Sequence, residues 1–206
     1  DNDERCIALT ALHGMGGIGK SALAARICRD EIVQAAFPSG VIWVDVGREN
    51  VSKLNLIKIV GRELGYSMEH YTSDTEALRQ LRNTLLTESV LIVLDDVWDI
   101  EHARLFSNIE APRSRVLFTT RRGSIGDSIG ASEVRLDVLE SQQALDLLQQ
   151  WAERDLPEMP QVAKKLGYLP LALEIAGGRL RKTKGEDWLK AFSEKEISFL
   201  KTTFPL

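Results

Sequence analysis

A run of glycines closed by a lysine and a serine carries the clearest chemistry in the chain. Gly14-Met15-Gly16-Gly17-Ile18-Gly19-Lys20-Ser21 fits G-x-x-x-x-G-K-[ST], the pattern of a phosphate-binding loop. Glycines let the backbone curl until several N–H groups point at one anion, and a helix opening at the lysine adds its positive end. Lys20 would reach the β- and γ-phosphates, and the Ser21 hydroxyl would hold Mg²⁺. Ala22 follows directly and belongs to the same expected nucleotide contact. Farther on, the apolar run Leu91-Ile92-Val93-Leu94 ends in Asp95-Asp96. Beside a phosphate loop, such a strand delivers an aspartate to the Mg²⁺ shell, and hard oxygen donors suit that ion. Asp95 is assigned to Mg²⁺, directly or through water; Asp96 is placed to orient or deprotonate an attacking water. Thr119-Thr120-Arg121-Arg122 closes another strand. Ligands bind beyond the carboxyl ends of parallel strands, so Arg121 is assigned to sense the γ-phosphate. Arg122 reads as a solvated neighbour.

The same glycines also spell G-x-G-x-x-G through Gly14, Gly16 and Gly19, the dinucleotide-binding fingerprint. Its acidic partner would be Asp45, 26 residues after Gly19. Lys20-Ser21 has no role in that rival, and neither has the acidic pair after Leu94. The phosphate loop is therefore preferred, and Asp45 reads as a strand-end carboxylate.

The elements that must position these residues can be read from apolar spacing. Ile7 to Leu12 is a short apolar strand ending in the glycines, and Ser21 to Asp30 has helical spacing at Leu23, Ala24, Ile27 and Cys28. Gly40 to Val46 reads as a strand, bounded by Pro38 and Gly47. Leu54, Ile57, Val60 and Leu64 form a helical stripe, and Ala77, Leu78, Leu81 and Leu85 another that Ser73 or Asp74 would cap. Val90 to Leu94, Arg115 to Thr120 and, more weakly, Glu133 to Leu136 supply further strands. Continuous apolar strands point to a sheet covered on both faces, and their alternation with helices to a parallel α/β sheet. After Leu139 only helices are expected. Ser141 would cap one that buries Ala144, Leu145, Leu148 and Trp151; Gln161 to Leu166, a helix starting near Pro170, and Glu186 to Phe192 follow. The expected division is an α/β nucleotide-binding domain over 1–137 and a small helical subdomain over 138–206.

Composition narrows the classes. With 44% hydrophobic and 27% charged residues among 206, the chain is globular rather than disordered. Lys and Arg total 26 against 30 Asp and Glu, a net charge of −4, so no overall basic excess argues for nucleic acid or anionic lipid. Two cysteines, Cys6 and Cys28, form no disulfide framework or zinc site and read as reduced core thiols. No apolar run approaches the roughly 20 residues of a membrane helix. His13, His70 and His102 have no metal-site spacing and read as surface or edge residues. A cytoplasmic setting is expected, and the charged start, Asp1 to Arg5, reads as the cut edge of a longer protein.

Taken together, GMGGIGKS, Phe37 to Gly47 (FPSGVIWVDVG), Leu91 to Trp98 (LIVLDDVW), Ser114 to Arg121 (SRVLFTTR) and Gly167 to Leu173 (GYLPLAL) resemble the NB-ARC domain. That domain is the nucleotide switch of plant disease-resistance proteins and apoptotic protease-activating factors, in the STAND class of P-loop NTPases. The resemblance implies sheet order 2-3-4-1-5 and a helical subdomain after residue 137. It implies that Pro170 and Leu171 lie against the adenine and ribose; by themselves Gly167 and Pro170 are a helix stop and start. It also implies ADP or ATP with Mg²⁺, flanking effector and sensor domains, and nucleotide-dependent self-assembly, with no nucleic acid or membrane partner. The chain departs from the family in having Ser21-Ala22 where two threonines often stand, which keeps the hydroxyl on Ser21. No histidine here matches the winged-helix histidine that contacts the ADP β-phosphate in the family. The resulting expectation is a switch, resting with ADP, activated by exchange for ATP and reset by slow hydrolysis. A turnover ATPase or kinase is the alternative class, although no lid-like arginine cluster serves one.

Overall fold

The computed structural model describes residues 8–48, 51–107 and 109–194. Cys6 and Ile7, read above as a core thiol and a strand residue, lie outside the described residues. The chain forms two compact units, Asp1–Leu136 and Asp137–Leu206.

In the first unit the order is β1 (Ala8–His13), α1 (Lys20–Cys28), α2 (Glu31–Ala36), β2 (Val41–Asp45), α3 (Lys53–Glu63), α4 (Asp74–Leu85), β3 (Leu91–Val97), α5 (Ile100–Arg104), β4 (Arg115–Thr120), α6 (Ser124–Ile129) and β5 (Ser132–Arg135). The strands make one parallel sheet in the order β2-β3-β4-β1-β5, which is the order the resemblance implies. Interior strands are buried on both faces, hence their unbroken apolar sequences. Ile92, Leu94, Val116 and Phe118 meet Leu56, Ile57, Val60, Leu81 and Leu85 of α3 and α4 in one core. Leu12, Leu91, Val93 and Leu117 meet Ala24 of α1 in another. The edge strands differ: every residue of β5 is exposed, and Trp43 of β2 is half exposed.

Three helices escaped the apolar spacing, α2, α5 and α6, because each is too short to show a stripe. Asp30 and Asp99 start the first two by accepting the Ile32 and Glu101 N–H groups at 2.9 and 3.0 Å. Ser73 precedes α4 but its side chain caps nothing. His102 corrects the surface reading: it is buried, with Nε2 2.7 Å from the Val51 carbonyl oxygen. Its local spacing could not reveal that the chain before α3 folds over it.

The second unit contains α7 (Ser141–Ala152), α8 (Met159–Lys165), α9 (Pro170–Leu180) and α10 (Gly185–Glu194). Ala144, Leu148, Val162, Leu173, Ala176 and Trp188 share its core. Two expectations fail here. Glu140, not Ser141, occupies the N-cap, in a reciprocal capping box with Gln143. Trp151 is 41% exposed, since the smaller Ala152 takes the buried position. Pro170 opens α9, where its missing N–H costs no helical bond.

Candidate functional site

The loop between β1 and α1 is built by backbone geometry that side chains resist. Gly19 is the N-cap of α1 with φ 100°, a conformation open to glycine and strained for other residues. It turns the chain so that α1 begins directly at Lys20, with no side-chain cap and no acidic residue in its first turn. The helix therefore presents its positive end with no carboxylate in its own first turn. Ile18 is buried and pins the loop to the domain, whereas Met15 is 66% exposed, leaving its backbone as its contribution. Ala22 is exposed on the first turn of α1.

Lys20 is buried, and its Nζ donates to the carbonyls of Gly14 at 2.9 Å and Met15 at 3.0 Å. The ammonium is thus folded across the loop that precedes it. Burial lowers its pKa from the usual lysine value, and the Arg121 charge lowers it further; Asp96 and Asp95 oppose both effects. Two cations crowded against one loop are the electrostatic counterpart of a polyanion.

Opposite the loop, β3 departs from regular pairing. Leu94 pairs with Phe118 and Val97 with Thr120, so Asp95 and Asp96 together face Thr119 alone. This is a β-bulge, and Asp96 sits in it at φ 55°, a left-handed conformation that aspartate tolerates better than most residues. Adjacent strand residues ordinarily point to opposite faces. The bulge instead lets both carboxylates serve the same end of the sheet.

Thr119 organises the bulge: its hydroxyl donates to Asp95 Oδ1 at 2.6 Å and accepts from the Asp96 N–H at 2.9 Å. Asp95 Oδ1 also accepts from the Ser21 hydroxyl at 2.8 Å. Thr120 extends the repair by donating to the Val97 carbonyl at 2.8 Å. Asp96 Oδ1 lies 3.6 Å from Arg121 Nε. Arg121 in turn approaches the glycines: a Cβ on Gly16 would fall 2.8 Å from its Nη1.

Lys20, Ser21, Asp95, Asp96 and Arg121 are therefore gathered at one end of the sheet. Oxygen atoms held by one octahedral Mg²⁺ at adjacent positions stand about 2.9 Å apart, so the Ser21–Asp95 separation suits that ion. Among the described residues no group of three or more His, Cys, Asp or Glu forms a metal cluster. A hydroxyl plus one carboxylate suits Mg²⁺, which keeps most of its waters, and not a zinc centre. Asp45 pairs with Asp95 in register at the end of β2. Pro170 and Leu171 belong to the second unit, where they begin α9, with Leu171 42% exposed.

Sequence reasoning missed Thr119, Trp98 and Arg48. The Trp98 ring centroid lies 4.1 Å from Arg48 Cζ and 5.3 Å from Arg121 Cζ. Thr119 had a signal, since a hydroxyl at the end of a buried strand needs a partner. Arg122 is exposed, in keeping with its solvated reading, and its Nη1 donates to the Trp98 carbonyl at 3.2 Å.

The sequence profile of the NB-ARC domain matches residues 2–156. Apoptotic protease-activating factor 1 of Homo sapiens is 31% identical over 203 residues, covering 90% of this chain and 16% of that protein. Probable disease resistance protein RF45 of Arabidopsis thaliana is 31% identical over 207 residues, covering 90% of this chain and 20% of that protein. Among solved structures, a STAND protein with a tetratricopeptide repeat sensor from Pyrococcus horikoshii has TM-score 0.59 at 19% identity, covering 82% of this chain and 27% of that one. The ORC1 protein of Aeropyrum pernix, solved in complex with DNA, has TM-score 0.63 at 20% identity, covering 98% of this chain and 63% of that one. These two likenesses are of fold alone.

Proposed function

This chain belongs to the NB-ARC domain family, within the STAND class of P-loop NTPases, and from that premise we propose that it is an ADP/ATP-binding switch. The observation that carries this reading is the convergence of Lys20, Ser21–Asp95 and Arg121–Asp96 on the uncapped start of α1. Backbone N–H groups from Gly14 to Ala22 hold the phosphates, and Lys20 leaves the carbonyls of Gly14 and Met15 to reach the β- and γ-phosphates. Ser21 and Asp95 hold Mg²⁺, which neutralises charge on the phosphates when bound.

In the resting form the site holds ADP. Arg121 then has no γ-phosphate to bind and stays with Asp96. With ATP, Arg121 moves its charge to the γ-phosphate and frees Asp96 to orient water for slow hydrolysis, which resets the switch. The two nucleotides favour different states because only one engages Arg121. The domains that precede and follow this segment in a longer protein, in a cytoplasmic setting, read that state, and nucleotide-dependent self-assembly is part of the response. No helix among the described residues is long and apolar enough to cross a membrane.

The test is the nucleotide released by denaturing the purified protein and identified by chromatography. Stoichiometric ADP is expected. Rapid multiple turnover of ATP by this chain alone overturns the switch reading.

The lowered pKa of Lys20 gives a second expectation. Bound phosphates stabilise the ammonium, so the pKa is higher in the complex than in the free protein. Between those two values binding takes up protons, and ADP affinity falls as the pH rises through the free-protein value. Calorimetry in buffers of different ionisation enthalpy, taken over a series of rising pH, measures the uptake; proton release on binding contradicts it.

A further inference from the structure

We propose that Trp98, braced by Arg48, is a positioning residue for Arg121 and thereby sets the preference for a nucleoside triphosphate over a diphosphate. The proposal rests on the switch reading, because it deepens the role given there to Arg121.

Arg121 needs a support that its ion pair does not supply. Its contact with Asp96 is a single 3.6 Å approach, with side chains 47% and 31% exposed. Solvent screens such a pair, and a one-point contact does not fix a guanidinium plane. An arginine left to several rotamers must be frozen when it binds phosphate, and that ordering reduces affinity. The indole of Trp98 offers a broad face 5.3 Å from Arg121 Cζ, within the range of cation–π attraction. Arg48 Cζ lies closer still, 4.1 Å from the same ring centroid.

An ordinary core role does not account for Trp98. It is half-buried and joins none of the buried apolar clusters among the described residues. Its indole Nε1 is buried without a hydrogen-bond partner among them, so the ring is not held by its polar atom. Its backbone is fixed just beyond the bulge, and its carbonyl accepts from Arg122 Nη1 at 3.2 Å. The element that aims Asp96 therefore also sets the ring against Arg121. A diphosphate engages Lys20 and Ser21 without Arg121, so the support matters for the triphosphate alone.

The experiment measures dissociation constants for ADP and for a non-hydrolysable ATP analogue with Mg²⁺. It uses Trp98→Leu, Trp98→Phe, Arg121→Ala and the Trp98→Leu/Arg121→Ala double variant. Trp98→Leu is expected to weaken the triphosphate analogue about 3- to 5-fold and to leave ADP within about 2-fold. Trp98→Phe, which keeps a π face, restores most of the preference. In the Arg121→Ala background Trp98→Leu changes nothing further, as a shared pathway requires. Equal weakening of both nucleotides, or an undiminished effect without Arg121, overturns the proposal in favour of a structural tryptophan. If Arg121→Ala leaves the triphosphate preference intact, the switch reading itself fails; if only Trp98→Leu does so, the positioning role alone fails. Should Trp98→Leu not fold, the exposed Arg48→Gln decides on the same readout: a loss confined to the triphosphate supports the proposal, and no selective loss overturns it.

Discussion

Lys20→Ala is expected to weaken ADP and ATP binding by upward of roughly 30-fold, the effect of removing one member of a buried charge pair, about 2–5 kcal/mol. The fold should survive. In the free protein the ammonium is buried against two loop carbonyls and repelled by Arg121, so its net contribution to stability is small. Removing it relieves a desolvated cation and gives up two hydrogen bonds, effects that oppose one another. Circular dichroism and thermal melting establish the fold, and fluorescence or calorimetric titration gives the affinity. A folded variant with unchanged affinity would remove the site assignment.

Asp95→Ala is expected to reduce Mg²⁺-dependent ATP binding by about 10- to 100-fold, in line with lost metal-site contacts. Mg²⁺-free ADP binding should stay within about 3-fold. The carboxylate accepts from both Ser21 and Thr119, so alanine also takes the acceptor from the buried Thr119 hydroxyl. That structural loss could mimic a loss of metal binding. Asp95→Asn separates them, because it keeps an acceptor oxygen and removes the charge. Melting like the parent together with a lost Mg²⁺ dependence places the effect on the ion. Retained Mg²⁺ dependence in both variants contradicts the assignment of Asp95.

Much of the site was legible because its chemistry is local. The glycine loop needs particular residue types at fixed spacing, so Gly14 to Ser21 declare it without knowledge of the rest of the chain. Strands at 91–94 and 115–120 were legible because burial on both faces demands unbroken apolar residues. The sheet order came from family resemblance, since strand spacing says nothing about which strands are neighbours.

Other features had no local signature. Sequence adjacency placed Asp95 and Asp96 at one strand end, and only the register against β4 reveals the bulge in which both face Thr119. His102 lies on a short helix whose burial depends on the segment near Val51. Trp151 looked like a core residue by size and spacing, but Ala152 holds the inner position of α7. A helical stripe fixes which residues share a face, and the packing partner decides how much of each residue that face covers.

The sequence by itself determined the phosphate loop, the acidic strand end and the α/β class, since those follow from residue type, spacing and backbone allowance. Tertiary structure alone decided that Thr119 ties Asp95 to Asp96, that Arg121 comes within reach of Gly16, and that Trp98 lies against two guanidinium groups. These contacts join residues distant in the chain. Their geometry is set by strand register and a one-residue bulge, neither of which any single segment encodes.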